Sequence, residues 1–255
     1  MGSPRHSHSL MTQLDYRARI YDSYVHARDT ALAPASVEGF ASRAPYLRRL
    51  VRDHFPRDRS APVLELGCGH GTLIYFARLA GYTDVTGVDR SPEQVLEAER
   101  LGIDGVREGD LMEVLRAVPD EALELVIAFD VIEHFTREEL LPFADEVRRV
   151  LRRGGQWLIH TPNAESPFFG RIRYGDLTHE QAFTRTSMGQ LLLSSDFASY
   201  RCYEDSPVIH GVASALRYIV WKGVRGLLRV YLAAETGSRD PSFILSQNFL
   251  TVAVK

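Results

Sequence analysis

The stretch Val63-Leu64-Glu65-Leu66-Gly67-Cys68-Gly69-His70-Gly71-Thr72 constrains this chain more than any other. An apolar run carrying one acid stops at three glycines spaced by single residues, and a helix-like pattern follows. That order predicts a buried strand, a tight turn and a helix. A glycine-rich turn in this setting lets a ligand come close to the backbone, and nucleotide-type ligands are its usual occupants in an open α/β sheet.

The pattern downstream repeats strand and helix. Asp84–Asp89 predicts a second strand ending in an acid. Ser91-Pro92-Glu93 then starts a helix: a serine cap, proline at the first helical position and an acid in the first turn. Gly105–Asp110 predicts a short third strand, Leu123–Asp130 a fourth and Gln156–His160 a fifth, with a helix before the fifth that stops at Gly154-Gly155. Tyr200–Glu204 and Asn248–Val254 read as two more strands, with an apolar helix at Met188–Leu193 before them. The alternation implies an α/β fold, a doubly wound sheet of about seven strands with helices on both faces. Ligands in such a sheet sit outside the carboxyl ends of the strands. Gly67–Gly71, Asp89, Asp110, Asp130 and Asn163 all fall at such ends.

With 255 residues, 45% hydrophobic and 25% charged, the chain suits one sizeable core with an inserted subdomain. Its formal charge of −3 supplies no global pull toward nucleic acid. Two cysteines, Cys68 and Cys202, make no disulfide framework and favour a reducing cytoplasm. Residues 1–13 read as a disordered tail, with neither a signal peptide nor a membrane span in the polar N-terminus. Residues 14–255 read as a single domain, with a helical cap over 14–55 and a helical insertion over 207–240. In the cap, Leu14–His26 carries Tyr16, Tyr21 and Tyr24, which suit either packing or closure over a ligand.

The turn departs from a dinucleotide fingerprint, because Thr72 stands where a glycine three residues after Gly69 is required. It also lacks the lysine of a P-loop. Glu65 ahead of Gly67-x-Gly69-x-Gly71, Asp89 after the second strand and Asp110-Leu111 after the third resemble the motifs of class I S-adenosylmethionine-dependent methyltransferases. The resemblance implies a Rossmann-like fold, mostly parallel with an antiparallel last strand, and S-adenosyl-L-methionine as cofactor. It implies that Asp89 holds the ribose hydroxyls, that Asp110 and Leu111 lie near the adenine, and that Glu65, Gly67, Cys68, Gly69, Gly71, Arg90 and Phe129 complete the cofactor site.

Asp130-Val131-Ile132-Glu133-His134, with Thr161-Pro162-Asn163 after the next strand, resembles the ubiquinone-biosynthesis O-methyltransferases. The implied reaction is methyl transfer to a hydroxyl of a small-molecule, sugar or lipid-like acceptor. Such a transfer needs positioning and proton removal, and a near-neutral histidine suits the second task. His134 is the first candidate base and His179 the second.

Small-RNA 2′-O-methyltransferases hold a divalent metal with a similar set, which Asp130, Glu133, His134 and His179 match. Glu-His here is common in methyltransferases without metal, so no metal is expected. Nor is a nucleic-acid partner. A metal-assisted RNA enzyme and a non-catalytic cofactor-binding scaffold are the rival readings.

Finally, Val212–Ala234 contains no acid and four cations: Arg217, Lys222, Arg225 and Arg229. Leu216, Ile219, Val220, Val224, Leu227 and Tyr231 share one helical face and the cations the other. One reading is a lid whose apolar face lines the acceptor pocket. The other is a peripheral membrane contact through 212–234, with Trp221 and Tyr218 near the headgroups.

Overall fold

The structure is a computed structural model that describes residues 31–237 and 242–255, together with positions 20 and 240. The predicted tail over 1–13 lies outside the described residues, as does the predicted cap helix over Leu14–His26 apart from Ile20.

Seven strands form one sheet: β1 (Val63–Leu66), β2 (Val85–Asp89), β3 (Val106–Glu108), β4 (Leu123–Phe129), β5 (Leu151–Pro162), β6 (Ser199–Glu204) and β7 (Asn248–Val254). Their order is β3-β2-β1-β4-β5-β7-β6. The first five pair in parallel, and β7 inserts antiparallel between β5 and β6. The described helices are α1 (Ala44–His54), α2 (Thr72–Leu79), α3 (Pro92–Arg100), α4 (Leu111–Ala117), α5 (Arg137–Val150), α6 (Phe169–Arg173), α7 (Arg185–Ser194) and α8 (Val212–Thr236).

Alternation along the buried strands splits the core into two layers. Val126 and Ala128 of β4 join Phe143 and Val147 of α5, Leu115 of α4 and Met188 of α7 on one face. Leu125 and Ile127 join Leu47 of α1, Ile74 of α2 and Ala98 of α3 on the other. Period-two burial on both faces is what a central strand covered by helices requires.

The helix starts follow the local chemistry. Ser91 caps α3 by accepting from the Gln94 amide, and Thr136 and Glu139 close a reciprocal capping box at α5. Two elements differ from expectation. Helix α4 was not foreseen; Asp110 is its cap and accepts from the Met112 and Glu113 amides. Strand β5 begins at Leu151, so Gly154-Gly155 lies inside a strand rather than ending a helix. There β5 bulges against β4, Leu151 opposing Leu123 and Gln156 opposing Leu125. Gly154 takes φ +77°, and a Cβ on Gly155 would stand 2.8 Å from the Arg152 carbonyl oxygen.

The largest difference is the orientation of α8. Its predicted apolar face is exposed, whereas Arg225 is buried and ion-paired with Glu204 at the end of β6. Trp221 lies under the Arg225 guanidinium at 4.5 Å and stacks on Tyr218. The stripe therefore does not line a pocket, and the aromatic pair sits with the half-buried side of the helix. No described helix is long and apolar enough to cross a membrane.

Candidate active site

The glycine turn is tied to the second strand. The amides of Gly67 and Cys68 both donate to the Val88 carbonyl, at 2.8 and 3.0 Å. Gly67, Gly69 and Gly71 take φ of 67°, 55° and 77°, which side chains rarely adopt. A Cβ at Gly67 would meet Val131 at 2.5 Å, and one at Gly71 would meet Val106 at 2.6 Å. Backbone conformation and packing beneath the turn thus require these two glycines.

Asp89 closes the turn from the neighbouring strand. One carboxylate oxygen accepts from the Gly69 amide at 2.7 Å and the other from the Ser91 amide at 2.9 Å. Each oxygen keeps a second lone pair, and Asp89 lines a cavity of about 520 Å³. Gly67, Arg90, Asp110, Leu111 and His134 line the same cavity. Five acids face it against two arginines.

The other predicted contacts sit behind the wall. Glu65 is buried under the turn with one carboxylate oxygen lacking a partner, and burial followed by nearby Asp89 pushes its pKa up to about 8. Cys68 is buried, with its thiol held well above the usual range, chiefly by burial. Phe129 stacks on His160 at 4.0 Å and 9° between planes. Asn163 is a staple for the chain entering β7, its amide donating to the Ile244 and Ser246 carbonyls.

Of the four residues matched to a metal set, three converge. Ligand atoms of Glu133, His134 and His179 lie within 4.8 Å of one another, and the two rings meet edge-on at 4.8 Å between centroids. Asp130 is otherwise engaged: it accepts from His160 Nδ1 at 2.6 Å.

The hydrogen bonds assign the tautomers. Thr178 has one hydroxyl proton, and Asp176 accepts it at 2.6 Å. The 2.9 Å contact from His134 Nδ1 must then be donated by the ring, which places the basic lone pair on Nε2. His179 Nδ1 donates to the Ile172 carbonyl at 3.1 Å, with the same result. Burial, then facing His179, holds the His134 pKa below the ordinary histidine value.

Sequence reasoning missed two groups. Asp176 and Thr178 precede His179 in the chain, and their Asp-x-Thr spacing is a turn signature that fixes a hydroxyl. His160, Asp130 and Asp205 come from the ends of three separate strands, and only the folded sheet brings them together.

Residues 63–155 match the family model described as a methyltransferase domain. A probable S-adenosylmethionine-dependent methyltransferase of Mycolicibacterium smegmatis is 32% identical over 157 residues, which are 60% of this chain and 57% of that one. The mitochondrial ubiquinone biosynthesis O-methyltransferase of Candida albicans is 34% identical over 104 residues, 38% of this chain and 32% of that one. The chain thus spans about half or less of these relatives. A solved S-adenosylmethionine-dependent methyltransferase from Archaeoglobus fulgidus superposes with a TM-score of 0.62 at 18% identity, over 94% of this chain and 100% of that one. Residues 63–155 thus carry a methyltransferase domain, and the fold is that of S-adenosylmethionine-dependent methyltransferases.

The site fits that cofactor. Its acid-rich wall suits a cationic sulfonium better than a polyphosphate, and Asp89 retains acceptor capacity for ribose hydroxyls. Asp89, Gly67, Arg90, Asp110 and Leu111 line the cavity that would hold it.

Proposed function

We propose that the protein transfers a methyl group from S-adenosylmethionine to a hydroxyl of a small-molecule, sugar or lipid-like acceptor. The observation that carries this reading is the Asp176–Thr178–His134 chain, which puts the basic lone pair of a cavity-lining histidine on Nε2. The bound cofactor supplies an electrophilic methyl on a sulfonium. The protein contributes position and proton removal: His134 Nε2 takes the acceptor's hydroxyl proton as the oxygen attacks. Thr178 and Asp176 hold the ring in the tautomer that can accept it. Hydroxyl chemistry is supported further by the similarity to a ubiquinone biosynthesis O-methyltransferase. The two free cysteines fit a role in cytoplasmic biosynthesis.

His134→Gln is expected to lower kcat by roughly 10²–10⁴-fold across hydroxyl acceptors. Cofactor affinity should stay within about twofold, as for a group that acts on the acceptor. His179→Gln should lower turnover less. Because the base must be neutral and its pKa is depressed, kcat/KM should rise with pH through a midpoint below the ordinary histidine value of 6.5 and then level off. S-adenosylhomocysteine release against an acceptor panel, with calorimetry for the cofactor, checks both. A wild-type rate in His134→Gln removes the assignment.

A second reading keeps the reaction and adds a divalent cation, because Glu133, His134 and His179 gather and one Glu133 carboxylate oxygen is buried without a partner. Both Nδ1 atoms are committed to Thr178 and Ile172, the outer-shell pattern that orients histidine ligands. Under this reading, exhaustive chelation abolishes turnover and magnesium or manganese restores it. Turnover that survives chelation removes the metal.

A further inference from the structure

The helix α8 is built inside out for a soluble enzyme. It has 25 residues, about 37 Å at 1.5 Å per residue. Only Ser214 and Arg225 are buried in it. Leu216, Ile219, Val220, Val224, Leu227 and Tyr231 form one stripe and are each between 49% and 73% exposed. Together they present apolar surface on the order of 600 Å², at the upper end of what monomeric proteins leave uncovered. Among the described residues nothing covers it.

The helix is anchored by its other side. Arg225 pairs with Glu204, and Trp221 and Tyr218 pack beside it. The anchor therefore fixes the stripe outward rather than leaving its direction to chance. No acid occurs from Ser206 to Ala234, and Arg217 and Lys222 are exposed, away from the centre of the stripe.

The occupant is chosen by charge. A second copy docked stripe to stripe would bring two cationic helices together, with Glu235 at the far end as the one carboxylate in each. An anionic lipid surface supplies the opposite charge to Arg217 and Lys222 and an apolar layer to the stripe. The attachment point agrees. Because β5 and β6 each pair antiparallel with β7, they run parallel to one another. The carboxyl end of β6 thus lies on the same edge of the sheet as the glycine turn. Asp205, one residue beyond it, reaches His160.

We propose that α8 is an interfacial helix that seats the protein on an anionic lipid surface. Its stripe enters the boundary between headgroups and acyl chains, and Arg217 and Lys222 meet the phosphates. This holds whichever acceptor is methylated.

Flotation of the full chain with phosphatidylcholine vesicles, with and without about one third phosphatidylglycerol, tests the proposal. The protein should float with the anionic vesicles and bind roughly tenfold more weakly to neutral ones or at high salt. Ile219→Asp with Leu227→Asp should abolish flotation; both positions are exposed, so the thermal melt should be unchanged. Arg217→Glu with Lys222→Glu should remove the preference for anionic lipid. Wild-type protein that stays unbound with both vesicles overturns the proposal. So does a dimer, seen by light scattering, that ignores vesicles and becomes monomeric in Ile219→Asp/Leu227→Asp.

Discussion

Asp89→Ala is expected to lose S-adenosylmethionine binding by at least about a hundredfold in calorimetry, while the protein stays folded. The carboxylate accepts the Gly69 and Ser91 amides at 2.7 and 2.9 Å, one on each oxygen. A hydrogen bond to a charged group contributes about 1.5–3 kcal/mol, and each 1.4 kcal/mol is about tenfold in affinity. Removing the acid leaves the Gly69 amide of the turn without its acceptor, although Gly67 and Cys68 stay bonded to Val88, and also removes the acceptor proposed for the ribose hydroxyls. Asp89→Asn keeps one carbonyl acceptor and should fall between wild type and Asp89→Ala. Unchanged affinity in Asp89→Ala would break the cofactor-site assignment, since Asp89 joins the glycine turn, through Gly69, to the start of α3, through Ser91.

His160→Leu should produce the second large effect, on stability. His160 is buried between Asp130 at 2.6 Å and Asp205 at 3.4 Å. Burial opposes its positive charge, but the two carboxylates outweigh burial and raise its pKa to about 10. At neutral pH the ring is thus a cation between two acids. Breaking a buried pair costs about 3–5 kcal/mol. The Asp130 carboxylate is 49% exposed, so solvent screens its share and the expected loss is near the lower end, about 3 kcal/mol. The folded pKa lies above the ordinary value of 6.5. The stabilisation is therefore complete below that pH and is lost as pH climbs through about 10. Urea denaturation across this range should show the gap between wild type and His160→Leu closing toward alkaline pH. A gap independent of pH would mean that His160 contributes packing alone. Asp130 adds a local consequence, because its φ of +57° is held in part by this contact and it lines the cavity.

The strands were legible because burial on both sheet faces writes continuous apolar runs, as in Leu123–Phe129, and the glycine turn and the Ser91-Pro92-Glu93 start carry their own chemistry. Helix α4 escaped because Asp110 was read only as a ligand contact, although an aspartate before a short apolar run is equally a cap. The start of β5 escaped because paired glycines mark a helix end and a bulge alike. The direction of α8 escaped for a different reason. Periodicity shows that two faces differ, but which one turns inward was decided by Glu204, a single acid in another element. The tautomer of His134 depends on Thr178, 44 positions away, and no local pattern announces a contact at that distance.

The insertion of β7 between β5 and β6 has a consequence for the order in which the chain is built. Strand β6 has β7 as its sheet neighbour and no strand on its other side among the described residues. During synthesis, β6 and all of α8 leave the ribosome before the strand that joins them to the sheet exists. Until residues 248–254 arrive, the Glu204–Arg225 pair has no sheet beneath it, and the apolar stripe travels with a half-finished domain. That interval is when the nascent chain is most exposed to aggregation and to capture by a chaperone.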